Sequence, residues 1–410
     1  MKNIKIISLM IFILFSSLTW AQDNLNSYLE EAAENNPKLR ARFSEYMSAL
    51  EQVPQLKSLP DPQIAFAWFI SPVETRMGPQ LMRLSASQMF PWFGTLKAKE
   101  NAAIQSAKAK YELFEEAKSK LFNDVKSVYY NLYFNNRAAE ISLDNIGLLQ
   151  SIAKMSAAKA EAGLVSMADE YRLEMQINEL ENQLQDIRDK NRTLETELRM
   201  LLNASPEKQF FIPSELENQS FMLSKQAALD SIMAKNHSLQ QLGFEKAALD
   251  YRVEVAERSG NPDFRIGIDY IITGEGENEL NGRDAIVFPA VGISIPLYRN
   301  KYRAMVKEAS HLVSANEYKS EDKANALEVI FARAWNDYKD AERRIGLNER
   351  QSILAEKTLD LLETEYATAN AEFEELLRME RMLLKYRLGS EKARVDKQAA
   401  IAFIYYLMGK

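Results

Sequence analysis

The chain has 410 residues, 46% hydrophobic and 27% charged, which excludes a disordered protein and leaves room for two or three domains or one elongated one. Its formal net charge is −7 and it has no basic tract, which excludes nucleic acid as a partner. It has no cysteine, hence no disulfide and no acylated N-terminal Cys, and only 14 Gly and 12 Pro punctuate it, which predicts long uninterrupted elements.

Residues 1–21 read as a secretory signal peptide. Lys2 and Lys5 form the positive segment, Ile6 to Phe15 the apolar core, and Thr19 and Ala21 the small residues before cleavage at Gln22. The apolar run is short for a spanning helix, and no other segment comes near that length. Any integral contact of the mature chain with a membrane is therefore expected without helices. Losing two lysines and no acid leaves 49 basic against 58 acidic residues, a net −9.

The next element is a helix over roughly 26–57, with Pro54 as its point of disturbance. Ile64, Phe66, Trp68 and Ile70 then alternate with Ala65, Ala67 and Phe69, and Met82, Leu84 and Ala86 with Arg83, Ser85 and Ser87. Period two with one apolar face predicts a strand pair joined through the turn-rich SPVETRMGPQL. From about Thr95 to Ala162 only Gly147 could interrupt a helix. Val125, Leu132, Ala139, Ile146 and Ala153 recur every seven residues there, with Leu121, Val128 and Leu149 on the other seam. The next helix carries Leu173, Ile177, Leu180, Leu184, Ile187, Leu194, Leu198 and Leu201 at four-three spacing. That is the pattern of coiled-coil packing.

The second half repeats the plan. Phe264, Ile266, Ile268, Tyr270 and Ile272 alternate with Arg265, Gly267 and Asp269; Val287, Val291, Ile293 and Ile295 are expected opposite Ala290, Gly292 and Ser294. Leu327, Phe331, Ala334, Tyr338, Ala341 and Ile345 restore the heptads. Asn36-Pro37-Lys38-Leu39 matches Asn236-His237-Ser238-Leu239, and Asp61-Pro62-Gln63-Ile64 matches Asn261-Pro262-Asp263-Phe264, both at an offset of 200. Pro91 matches Pro296, and Tyr171-Arg172-Leu173-Glu174 matches Leu377-Arg378-Met379-Glu380. Four matches in one order indicate duplication. The expected division is a signal peptide 1–21, a first repeat 22–206 (hairpin 63–90, long helices 95–162 and 166–204), a linker 207–221 and a second repeat 222–410 (hairpin 263–296, long helices 298–368 and 371–408). Each longest helix would extend about 100 Å.

Four strands of about ten residues have the length to cross a bilayer at a tilt, yet closed membrane barrels start at about eight strands. Membrane strands here would therefore require several copies of the chain. Trp68, Trp92, Phe93 and Tyr298 suit a membrane interface. An ordinary hairpin packed on a helical body fits the same alternation.

Taken together, the duplication, the hairpin before each long helix, the prolines of QMFPWFG and ISIPLY, and the turn Gly163-Leu164-Val165-Ser166 leading into Asp169 resemble the TolC-like outer-membrane efflux protein family, over essentially the whole mature chain. The resemblance implies a mainly α fold with a small β part. Three chains would form one homotrimer, each giving four strands to a shared twelve-stranded barrel above an α-barrel tunnel. It implies a passive exit duct in the outer membrane of a Gram-negative bacterium, against outer-membrane lipid. A periplasmic adaptor (membrane fusion) protein and an inner-membrane pump, RND-type first, would be its partners. No cofactor is implied.

The same resemblance puts the turns between the long helices at the periplasmic mouth. Gly163, Leu164, Val165, Ser166, Asn370 and Ala371 become adaptor-contact tips, and Asp169 and Glu375 carboxylate rings in three copies. Arg378 stands where many relatives carry a further acid, and is expected to pair with a neighbouring carboxylate. Asp169 and Glu375 also suit helix starts, where the dipole favours acids. Pro91, Trp92, Phe93 and Gly94, with Pro296 and Tyr298, become strand exits at the membrane interface.

Nothing in the sequence is arranged for catalysis or metal binding. His237 and His311 lack ligand-like spacing, the methionines are scattered, and GEGENELNG is an acidic turn rather than a phosphate loop. The competing reading is an exported periplasmic coiled-coil structural or adaptor protein. It leaves unexplained why two hairpins sit at matching points of a duplication.

Overall fold

A computed structural model describes residues 20–161, 166–216, 219–275, 282–368 and 372–410. In chain order they form α1 (Trp20–Asn35), α2 (Pro37–Lys57), β1 (Gln63–Thr75), β2 (Gly78–Phe90), α3 (Thr95–Glu161) and α4 (Met167–Leu202). The second half follows as α5 (Lys225–Lys235), α6 (His237–Arg258), β3 (Asp263–Thr273), β4 (Ala285–Ser294), α7 (Arg299–Ala367) and α8 (Phe373–Leu407). The protein is mostly helical with one small sheet.

The chain divides into two compact units. One takes the described residues up to Ala41 with Glu115–Asn236 and Ala324–Lys410; the other takes Arg42–Phe114 and His237–Lys323. Neither unit is a sequence repeat. Each draws on both halves, because the two hairpins pair in one sheet and the long helices of both halves share one core.

In the helical unit that core is a coiled-coil seam. Ile146, Leu149 and Ile152 of α3 meet Leu173, Leu180 and Leu184 of α4, Leu359, Leu362 and Tyr366 of α7, and Leu376, Leu377 and Leu383 of α8. Burying each such side chain is worth about 1.5–3 kcal/mol, so packing rather than local propensity holds these helices. The helices α3 and α7 run 67 and 69 residues without a break. A second apolar row on α7 is open among the described residues: Leu347, Leu354 and Leu361 recur every seven residues and are 49%, 58% and 65% exposed.

The single helix predicted over 26–57 is two helices, broken at Asn36 and continuous through Pro54. The residue before a proline is kept out of the helical region, so α1 stops before Pro37, which then occupies a first-turn position where its missing N–H costs nothing. Asn36 caps the new helix, its Oδ1 accepting from the Leu39 N–H at 3.1 Å. Its Nδ2 donates to the Leu201 carbonyl at the end of α4, 2.9 Å away. Asn236, between α5 and α6, donates in the same way to the Leu407 carbonyl at the end of α8, also at 2.9 Å.

The sheet of the other unit is antiparallel throughout, in the order β1-β2-β3-β4. Its register sorts the side chains. Phe66, Leu84, Tyr270 and Ile286 form one cross-strand row, and Trp68, Met82 and Ile272 another on the same apolar face. The opposite face carries Arg83, Ser85 and Asp269. Asp269 is buried, accepting from Ser85 Oγ at 2.5 Å and paired with the Arg83 guanidinium. Much of the apolar face is open: Ile64, Phe66, Trp68, Ile286 and Val291 are all exposed.

One strand expectation changes. Val287 does not share a face with Val291 but pairs with Asp269, on the polar side. Between the pairs Gly267–Ala290 and Asp269–Val287, β4 advances three residues against two on β3, a bulge spanning Phe288 and Pro289. Proline cannot donate to a ladder, so it sits at a bulge or a sheet edge, and β4 is an edge. Similarly β1, the other edge, slips between Trp68 and Val73, where Pro72 lies.

Candidate functional site

Two regions carry the residues singled out from the sequence: the junction where the sheet hands over to α3, and the ends of the long helices. At the junction Phe90 ends β2 and Pro91 stops the ladder. The Trp92 N–H donates to Asp263 Oδ1 at 3.0 Å, and its indole stacks on Phe264 with centroids 5.8 Å apart. Phe93 lies exposed, 6.0 Å from the same ring. Gly94 takes φ +79°, a left-handed conformation, and a Cβ there would run into the Arg258 guanidinium. That guanidinium donates to the Phe93 carbonyl at 2.6 Å. The Ala98 N–H then bonds the Gly94 carbonyl at 2.9 Å, and α3 has begun. In the second repeat Pro296 is buried and Tyr298 exposed, its carbonyl accepting from Lys301 at 3.0 Å.

Of the expected tip residues, Gly163, Leu164, Val165, Asn370 and Ala371 lie outside the described residues. Ser166 is the N-cap of α4, its hydroxyl accepting from the Ala168 N–H at 3.2 Å. Asp169 and Glu170 follow in the first turn of α4, and Glu374 and Glu375 in that of α8. Arg172 joins the two helix starts, 3.3 Å from Asp169 and 3.7 Å from Glu374. Arg381 reaches Glu374 at 3.4 Å, and Arg378 pairs with Glu375 at 3.1 Å. Apart from Asp169, whose side chain is 16% exposed, these groups are largely solvated, and pairs of that kind contribute at most about 1 kcal/mol. Their chemistry is a band of carboxylates partly neutralised by three arginines.

Sequence reasoning passed over Glu380, which is 0% exposed inside the seam. Its Oε1 accepts from the Asn145 amide of α3, and its Oε2 from Gln176 Nε2 of α4 at 2.5 Å. Burial raises its carboxyl above the ordinary range of a glutamic acid, and the two amide bonds and Arg381 oppose that more weakly. The signal was present: seven residues after Phe373, Glu380 takes a seam position between Leu376 and Leu383. Among the described residues no group of His, Asp and Glu could hold a metal ion, and no helix is long and apolar enough to cross a membrane.

The sequence model of the outer membrane efflux protein family matches residues 28–204. No curated protein matches the chain. Solved structures do, along almost its whole length. The outer membrane protein VceC of Vibrio cholerae is 16% identical, with 95% of this chain and 98% of that one aligned and a TM-score of 0.76. The open-state MtrE outer membrane channel of Neisseria gonorrhoeae is 17% identical over 94% of this chain and 89% of its own, at a TM-score of 0.76. For CusC the values are 16% identity, 94% and 92% coverage and a TM-score of 0.77. The chain thus carries the sequence pattern of the outer membrane efflux protein family over residues 28–204 and shares the fold of these channels along almost its whole length.

Proposed function

We propose that this protein is the outer-membrane channel of a tripartite efflux or secretion system, a passive homotrimeric duct. The observation that carries this is the open sheet. Its two edge strands run in opposite directions, so β4 of one copy meets β1 of the next antiparallel, and a ring of copies closes without a free edge. Three copies bring twelve strands, above the minimum of about eight. The exposed face of Ile64, Phe66, Trp68 and Val291 then meets outer-membrane lipid, while Arg83 and Asp269 face the water-filled bore.

The helical unit asks for copies independently. Leu347, Leu354 and Leu361 form an uncovered heptad stripe, which a helix of the neighbouring copy would bury. At the helix ends, three copies of Asp169 and Glu375 would ring the periplasmic mouth and favour cations. The pairing of Glu375 with Arg378 moderates that preference. The tips at 163–166 and 370–371 would receive the periplasmic adaptor, and through it an inner-membrane pump, RND-type first.

The test is detergent extraction followed by mass measurement and reconstitution in planar bilayers. Three copies and discrete pores are expected. A chain that stays monomeric and soluble without detergent would overturn the proposal.

A further inference from the structure

Glu380 has no part in conduction as described, yet it is the one fully buried acid of the described residues. On its own helix Leu376, Leu377 and Leu383 belong to the apolar core, which also takes Leu173 and Leu180 of α4 and Ile146 and Leu149 of α3, and its two hydrogen-bond partners neighbour those residues in sequence. An ionised carboxylate in such a layer loses its hydration, and two amide donors restore only part of it. Both donors come from other helices, so the carboxylate ties α8 to α3 and to α4 within two turns of the α8 start.

We propose that Glu380, held by Asn145 of α3 and Gln176 of α4, is a proton-sensitive latch on the first turns of α8. Taking up a proton closes it; releasing one lets those turns part from α3 and α4. The inference stands on helix packing and does not depend on the channel reading.

The surroundings contain no second charge buried with it. α3 presents neutral Asn145 and α4 neutral Gln176. Arg172 and Glu179 of α4, with Glu374 and Arg381 of α8, border the cleft of about 330 Å³ beside Gln176, and of these Arg381 acts on Glu380. α7 brings Ala355, Leu359, Leu362 and Tyr366 to the same core, with half-buried Glu363 beside Leu362 and coupled to Asp360 rather than to Glu380.

The sign follows from linkage. Closed, the carboxyl holds its proton above the usual range; opened into water, it returns toward 4.5. Between those two values the closed form binds more protons, so raising the pH favours opening by up to about tenfold per pH unit. Above the closed-state value the dependence flattens. When the latch opens in that window, Asn145 and Gln176 exchange the carboxylate for water. When it closes in acid, one amide turns its oxygen to accept from the protonated acid.

Hydrogen exchange on the full-length purified protein, in whatever oligomeric state it is obtained, tests this, reading residues 373–384 after correction for intrinsic rates. In the unsubstituted protein the opening constant of these amides should rise from about pH 5 upward and then level off, while residues 393–404 stay flat. Glu380→Gln should keep 373–384 protected at every pH. A flat profile in the unsubstituted protein, or an unchanged rise in Glu380→Gln, overturns the latch. If Glu380→Gln fails to assemble, Asn145→Leu decides instead. It keeps the acid and removes one donor to its ionised form in the closed state, so the rise must start at the same pH but level off at a higher one; an unmoved levelling-off overturns the proposal. Pore formation in bilayers is read separately, so loss of the latch and loss of the channel reading are distinguishable.

Discussion

Asn36 and Asn236 make the same bond. Each donates its side-chain amide over 2.9 Å to the last-turn carbonyl of the long helix that ends its own repeat, Leu201 for one and Leu407 for the other. The sequence match of Asn-Pro-Lys-Leu with Asn-His-Ser-Leu is therefore a match of function within the fold. A helix end has carbonyls without intrahelical partners, and a kinked neighbouring helix supplies a donor to one of them.

Replacing either asparagine with alanine should cost about 1–3 kcal/mol, the loss of a buried hydrogen bond, with a lost cap in addition at Asn36. Asn36→Ser should recover part of the loss, since it restores the cap but not the bridge. Thermal unfolding of the extracted protein reads both, and a serine variant no better than alanine would mean the cap contributes nothing.

Gly94→Ala should destabilise the junction more than its size suggests, by about 1–3 kcal/mol for left-handed backbone alone. The added methyl also collides with Arg258. Arg258→Ala in the same chain should relieve the collision and leave the backbone cost, so the two substitutions should not add. The readout is the temperature at which the oligomer dissociates.

The helix ends predict selectivity. Glu375→Lys should lower cation preference in a salt gradient across a bilayer, and Arg378→Ala should raise it by freeing the Glu375 carboxylate. Reversal potentials measure both. Equal potentials for all three proteins would remove these residues from the narrow part of the pore.

Leu354→Glu should block assembly without unfolding the chain, because Leu354 contributes nothing to the seam within one copy. Helical circular dichroism should persist while the oligomer peak is lost on sizing. A folded oligomer at full yield would mean another surface joins the copies.

Much of this fold could be read from the residues because its elements are long and periodic. Four-three spacing places Leu173, Leu180 and Leu184 in the seam without any knowledge of their partners. Alternation likewise identifies the apolar face of β1. What failed was local: Pro37 broke a helix that Pro54 did not, because only Pro37 is preceded by a residue equipped to cap a new start. Val287 changed faces because one extra residue at a bulge inverts everything beyond it. Glu380 escaped notice for a related reason. A charged residue on a helix is ordinarily solvated, and nothing in the residue itself says that three helices will close over it.

Pro72 and Pro289 give the edge strands a further property. Neither residue has an N–H to offer a neighbouring copy, so in the proposed ring the joint between copies would be interrupted at set points along both strands. A copy that docks one step out of line places those gaps against carbonyls that need donors. In that ring the prolines would act as teeth on a key, making the seam easy to close in one alignment and wasteful in the others.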